Sequence, residues 1–188
     1  MKFSQYVKEA TERLNPAIAN SRKEQLTYSK LILIEEQGEI AAEIRKPFYK
    51  GNFHEKTFSI THTKEELGDV LWGVALYCKA KQIDTVAIEK KIQNVDKEKN
   101  NVIQLPNKEV LTKIMFNVEE KVDNMIKSNK KEQNAVISTL KSIEEFATEL
   151  GSNIEELMAE NIQKCNKRYN ENGCRTNQMK MQEEARER

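Results

Sequence analysis

The sequence predicts an all-α helical bundle. Breakers are scarce, with only 6 Gly and 3 Pro in 188 residues, and a chain so poor in them favours long uninterrupted helices. Apolar residues also recur at helical spacing in one segment after another. Phe3, Tyr6, Val7, Ala10 and Leu14 make the stripe of a first helix, which Asn15-Pro16 ends. A second helix is expected from Lys23 to Lys46, stopped by Pro47, and residues 47–62 read as a loop carrying His54 and His62. Thr63-Lys64-Glu65-Glu66 has the form of a capping box opening a third helix. That helix is apolar nearly all round from Val70 to Cys78, which predicts a central, buried position.

Residues 84–131 are rich in Lys and Asn and sparse in apolar side chains. Leu105-Pro106-Asn107 breaks the stretch, and Asn107 can cap a helix carrying Val110, Leu111, Ile114, Val118, Val122 and Ile126. Ser128-Asn129-Lys130 reads as a turn, followed by a helix through Val136, Leu140, Ile143, Phe146 and Leu150. Gly151 closes it and Ser152-Asn153-Ile154-Glu155 has the form of a second capping box. The last helix is expected to reach Tyr169. Periodicity fades from Gly173 on, so residues 1–173 are expected to form one domain and 174–188 a loose tail.

Composition narrows the function classes. Lys plus Arg total 31 and Asp plus Glu 30, a net charge of +1, which argues against a protein held to nucleic acid mainly through phosphates. The longest apolar run, Val70 to Cys78, is nine residues, far short of the roughly 18 that a membrane helix needs. The N-terminus shows an early acid and no apolar run of the secretory kind. Cys78, Cys165 and Cys174 are odd in number and include no C-x-x-C pair, which suits reduced thiols in the cytoplasm. Hydrophobic residues make up 38%, below the usual ~45–50%. We therefore expect an elongated protein that hides further surface as a homodimer or homotetramer.

Placed on a wheel at about 100° per residue, Glu36, Glu39 and Glu43 share a face with Ile32, Leu33, Ile40 and Ile44. Glu66 and Asp69 fall in one stripe with Val70, Gly73, Leu76, Tyr77 and Ala80. Buried carboxylates cost several kcal/mol each unless they are paired or bind a metal. If the two helices pack antiparallel the acidic pairs meet, and a divalent cation removes their repulsion. Oxygen-only ligands suit Mg²⁺, or Mn²⁺, over zinc, and Mg²⁺ held this way commonly serves phosphate chemistry. On the last helix Asn161, Lys164 and Arg168 share a face, where the two bases suit phosphate oxygens. Each feature alone is also what a solvated charged helix face looks like; their joint placement is what points to a site.

Leu33-Ile34-Glu35-Glu36-Gln37-Gly38-Glu39, then Glu65-Glu66-Leu67-Gly68-Asp69-Val70-Leu71-Trp72, then Asn161-Ile162-Gln163-Lys164 ending in Arg168-Tyr169, resembles the MazG-like nucleotide pyrophosphohydrolases of the all-α NTP pyrophosphatase superfamily. The resemblance covers residues 1–83 and about 140–173. It implies a four-helix catalytic core and Mg²⁺-dependent hydrolysis of a nucleoside triphosphate, a dNTP or non-standard NTP, to the monophosphate and pyrophosphate, as nucleotide-pool housekeeping. Glu36, Glu39, Glu66 and Asp69 would hold the metal, Lys164 and Arg168 neutralise phosphates, and Asn161 hydrogen-bond near them. Glu35 would either support the metal ligands from behind or activate the water, a role open to the other acids too, Glu39 among them. Trp72 either lines the nucleotide pocket or is a core aromatic. The departures are Gly73 where an aromatic is frequent, Gln37 for a small residue, and Asn170 to Cys174 in place of a proline-aspartate-glycine-aromatic ending. They bear on substrate identity more than on chemistry. The largest is residues 84–140, an inserted helical hairpin where the family joins its helices directly, expected to act as a lid, an oligomer arm or a partner-binding element. The alternatives are a dUTPase-like or phosphoribosyl-ATP-type enzyme and a non-catalytic helical scaffold.

Overall fold

The computed structural model describes residues 1–12, 14–49, 57–92, 107–128 and 132–168. Among them are eight helices and no strand: α1 (Phe3–Glu12), α2 (Pro16–Ala19), α3 (Arg22–Tyr49), α4 (Ile60–Lys81), α5 (Thr85–Ile92), α6 (Lys108–Lys127), α7 (Glu132–Glu149) and α8 (Ile154–Arg168). The expected all-α fold is therefore what the chain adopts. The expectations for His54, for Cys174, for Tyr169 as the end of the last helix, for the Leu105-Pro106 break and for the tail at 174–188 lie outside the described residues.

Helix α4 is the centre. Leu67, Val70, Leu71, Val74, Ala75, Leu76 and Tyr77 are all 0% exposed, as a helix apolar on every face requires. Helix α3 lies along it in the most extensive pairing of the fold. The pairing is antiparallel, because Glu66 meets Glu36 and Glu39 while Gly73, further along α4, meets Leu33 and Ile32 further back on α3. A Cβ on Gly73 would stand 2.9 Å from Leu33 Cγ and Cδ2, so the bare backbone there sets how closely the two helices approach.

Three boundaries differ from expectation. Helix α3 runs through Pro47 to Tyr49. A proline so near a C-terminus forfeits one intrahelical bond, and the last turn is held from outside: Lys108 sits 4.0 Å over the Tyr49 ring and the Tyr49 hydroxyl lies 3.1 Å from that of Thr112. Helix α4 begins earlier than its supposed capping box. Ser59 is the N-cap, accepting from the His62 backbone N–H at 3.1 Å, and Thr63 is interior, its hydroxyl donating to the Ser59 carbonyl. Glu66 is thereby freed from capping. At α8 the capping oxygen belongs to Asn153, which accepts from the Glu156 N–H, while the Ser152 hydroxyl donates to Glu156. Asn107 caps α6 as expected.

Helix α5 was not foreseen in the Lys-rich stretch. It is fixed by fully buried Ile88 and by Ser4 donating to Glu89 at 2.6 Å. The stretch expected to be an insertion does not stand apart where it is described. Leu111, Ile114, Val118, Val122 and Met125 of α6 join the same buried cluster as Phe3, Leu33 and Leu71. Its outer face, with Val110 and Phe116 exposed, is what remains for outside contacts. Between α3 and α6 the packing leaves a cavity of about 230 Å³ bounded by Ile34, Gln37, Gly38, Met115, Val118 and Phe146.

Candidate active site

Where α3 and α4 run side by side, Glu36, Glu39 and Glu66 bring carboxylate oxygens within 4.8 Å of one another. Two unit charges at that separation repel by roughly 3.5 kcal/mol at an effective dielectric near 20. The strain shows in the acids themselves. Burial, followed by the charges of Asp69, Glu66 and Glu39, pushes the Glu36 carboxyl up to about 8. Burial and Glu39 push Glu66 up to about 7, against the opposing pull of His62. The oxygen-only donor set and its spacing fit a hard divalent cation.

Asp69 is near enough to act on Glu36 but is drawn the other way. Its Oδ1 accepts from Asn161 Nδ2 at 2.8 Å and its Oδ2 takes the Lys164 ammonium. Burial keeps the Asp69 carboxyl above its ordinary value even so. The expected quartet is thus three acids plus a fourth held by α8. Lys164 also reaches Glu65 Oε1 at 2.9 Å, and Arg168 Nη2 donates to that same oxygen at 2.9 Å. Burial pushes Glu65 up, but its hydrogen bond and ion pair with Lys164, then Arg168, outweigh this and hold it below the ordinary carboxylate value. Glu65, Asn161 and Lys164 border a cleft of about 200 Å³ between α4 and α8, with Thr61, Lys64 and Gly68 on its walls.

The remaining expected residues sit elsewhere. Glu35 is exposed on α3 and outside the three-acid group. Trp72 donates its indole N–H to the Ala10 carbonyl at 2.8 Å and meets Tyr28 edge-on, so it ties α1 and α3 to α4. Glu43 is buried, as its wheel position implied, but it does not belong to the three-acid group.

Three residues of the site escaped the sequence reading. Tyr6, fully buried on α1, donates its phenol to Asn161 Oδ1 at 2.8 Å; a tyrosine in an apolar stripe is the available signal, since a buried phenol needs a partner. His62 Nδ1 lies 2.8 Å from Glu66 Oε1, and their i, i+4 spacing was the cue once the helix begins at Ile60. Glu65 was passed over because only its neighbour Glu66 falls in the apolar stripe of α4.

Residues 23–101 match the family model for the MazG nucleotide pyrophosphohydrolase domain. That match takes in α3 and α4 with all four acids and stops short of α8. No curated protein and no solved structure matches the chain.

Proposed function

Because the chain is MazG-like over residues 23–101, we propose that it is a Mg²⁺-dependent hydrolase that splits a nucleoside triphosphate, a dNTP or non-standard NTP, into the monophosphate and pyrophosphate. The observation that supports this most is the meeting of Glu36, Glu39 and Glu66 beside the Lys164 and Asn161 face of α8. A carboxylate trio placed against phosphate-binding bases suits a polyphosphate substrate.

Glu36, Glu39 and Glu66 would hold the cation, with Asp69 completing the set. The ion, when bound, supplies charge neutralisation for the phosphates and a more acidic water. The protein's own side chains do the positioning. Lys164 and Arg168 offer donors to phosphate oxygens, Arg168 with the planar fork that suits them. Asn161 and, through it, Tyr6 hold Asp69 in orientation. Glu39 is exposed within the trio, which makes it the member best able to accept a proton from an attacking water. No described helix is long and apolar enough to cross a membrane. The exposed side chains of Leu31 and Ile34 on α3, 57% and 61% accessible, support self-association as a dimer or tetramer.

The test is product identification. The protein is incubated with Mg²⁺ and a panel of canonical and modified NTPs and dNTPs, dUTP and a phosphoribosyl nucleotide included. Monophosphate plus pyrophosphate from any of them, abolished by Glu39→Gln, is the expected result. Diphosphate plus orthophosphate, or cleavage that Glu39→Gln leaves intact, would overturn the reading.

A further inference from the structure

We propose that Glu65 is a built-in stand-in for a substrate phosphate, occupying Lys164 and Arg168 of α8 until a polyphosphate displaces it, and so sets the charge a ligand must bring. The inference rests on the reading of the site as a polyphosphate site.

Four features of the geometry support it. One carboxylate oxygen, Oε1, takes both Lys164 Nζ and Arg168 Nη2, each at 2.9 Å; a single anionic oxygen bridging two cations is the arrangement a phosphate oxygen would make. Glu65 stands apart from the three-acid group although it adjoins Glu66 in the chain, because one residue of helix turns its side chain toward α8. Its side chain is 39% exposed and borders the 200 Å³ cleft, while Lys164 is only 14% exposed. The carboxylate can therefore swing into water without unpacking the core, whereas the ammonium stays where it is. Finally, the local charges cancel: Lys164 and Arg168 are matched one for one by Glu65 and Asp69. A phosphate approaching this group meets no net attraction until Glu65 leaves.

The consequence is selection by charge. A ligand with a single phosphate competes poorly with an acid tethered in place. A pyrophosphate or triphosphate chain, with several charges and a cation of its own, competes well. After cleavage the tethered carboxylate is positioned to reclaim the two bases and hasten release of the monophosphate.

The experiment titrates the full chain with inorganic pyrophosphate, and separately with orthophosphate, at fixed Mg²⁺ by calorimetry. Parent, Glu65→Gln and Glu65→Asp proteins are compared. The two competing contacts are partly exposed, so their removal should tighten pyrophosphate binding roughly three- to thirtyfold in Glu65→Gln. Orthophosphate should gain proportionately more, so that discrimination between the two shrinks. Glu65→Asp, one methylene too short to bridge both bases, should fall between, and it carries the test should Glu65→Gln not fold. With a cleavable nucleotide, KM should fall while kcat does not rise. Binding by the variants that is equal to or weaker than the parent's, or no pyrophosphate binding by any form, would overturn the proposal and leave the contact as an α4–α8 tie. These titrations need no turnover, so failure of the hydrolysis reading appears separately, as a parent protein that binds pyrophosphate yet cleaves no nucleotide.

Discussion

Replacing Tyr6 by Phe removes one oxygen and leaves the ring packing in place. The phenol donates to Asn161 Oδ1 at 2.8 Å, with Tyr6 0% and Asn161 3% exposed. The amide oxygen would keep only the Cys165 thiol, 3.9 Å away, a weak donor. A buried acceptor left nearly unsatisfied costs about 1–3 kcal/mol. In a chain of this length each kcal/mol lowers Tm by about 2–4 °C, so a value near 2 kcal/mol gives a drop of about 4–8 °C. The amide then has no reason to keep its orientation, and its Nδ2 is what fixes Asp69 Oδ1 at 2.8 Å. Mg²⁺ should therefore raise the Tm of Tyr6→Phe by less than it raises that of the parent. Tyr77→Phe is the control. Its phenol is equally buried and donates to the Met125 carbonyl at 3.0 Å, far from the acids. It should lower Tm by a comparable amount while leaving the Mg²⁺ increment intact. Thermal unfolding by circular dichroism, with Mg²⁺ and with chelator, reads both. Equal Mg²⁺ increments in the two variants would refute the idea that α1 steadies the site through Asn161.

The acids make stability pH-dependent when no cation is bound. Glu36 and Glu66 stand near 8 and 7 in the folded chain, above an ordinary carboxylate near 4.3. Their protonated forms favour folding, so that contribution is complete below about pH 4 and is lost as pH rises through 7 and 8. Tm in chelator should fall between pH 6 and 8.5, and Mg²⁺ should flatten the slope; a Tm that rises over that range would contradict the assignment. Glu36→Gln should raise Tm in chelator by relieving repulsion and lose most of the Mg²⁺ increment, both read in the same melts. Gly73→Ala sets a gain of about 1 kcal/mol in helix propensity against about 1–3 kcal/mol of overpacking on Leu33. Its urea midpoint should fall by about 1 kcal/mol equivalent, and an increase would show that the α3–α4 contact is looser than described. Leu31→Lys should halve the solution mass measured by light scattering, since it places a charge on the exposed apolar stripe of α3; an unchanged mass would place any self-association elsewhere.

The fold class was legible because the pattern is redundant: any one of the stripes through Phe3, Val70 or Val136 specifies a helix. The acids were legible for the opposite reason, as polar residues where the period demands apolar ones. Pairwise geometry was not. Whether Asp69 faces Glu36 or Lys164 depends on the angle at which α8 crosses α4, and a periodicity carries no crossing angle. Helix starts were misjudged where two hydroxyl residues compete, Ser59 against Thr63, because a capping signature is local and the extra turn is won by the Ser59 carbonyl and side chain together. Tyr6 escaped because it belonged convincingly to a core stripe, and Glu65 because it lies one residue off the acidic stripe of Glu66 and Asp69.

The site forms although a long stretch of chain separates α4 from α8 in the sequence. The bonds that build it join α1, α3, α4 and α8, and they need only that α8 lie against α4 with Gly68 facing Asn161, where a Cβ would just touch at 3.4 Å. Helices α6 and α7 lie between α4 and α8 in the sequence, yet neither supplies one of these bonds. α6 lies on α3 and touches α4 where Tyr77 donates to the Met125 carbonyl, while α7 packs on α4, where Lys81 pairs with Glu132 at 2.8 Å, and on α8. Among the described residues, α6 and α7 thus enlarge the core. They add Leu111, Val122, Leu140 and Phe146 to the buried cluster, so a chain with 38% hydrophobic residues still closes a core.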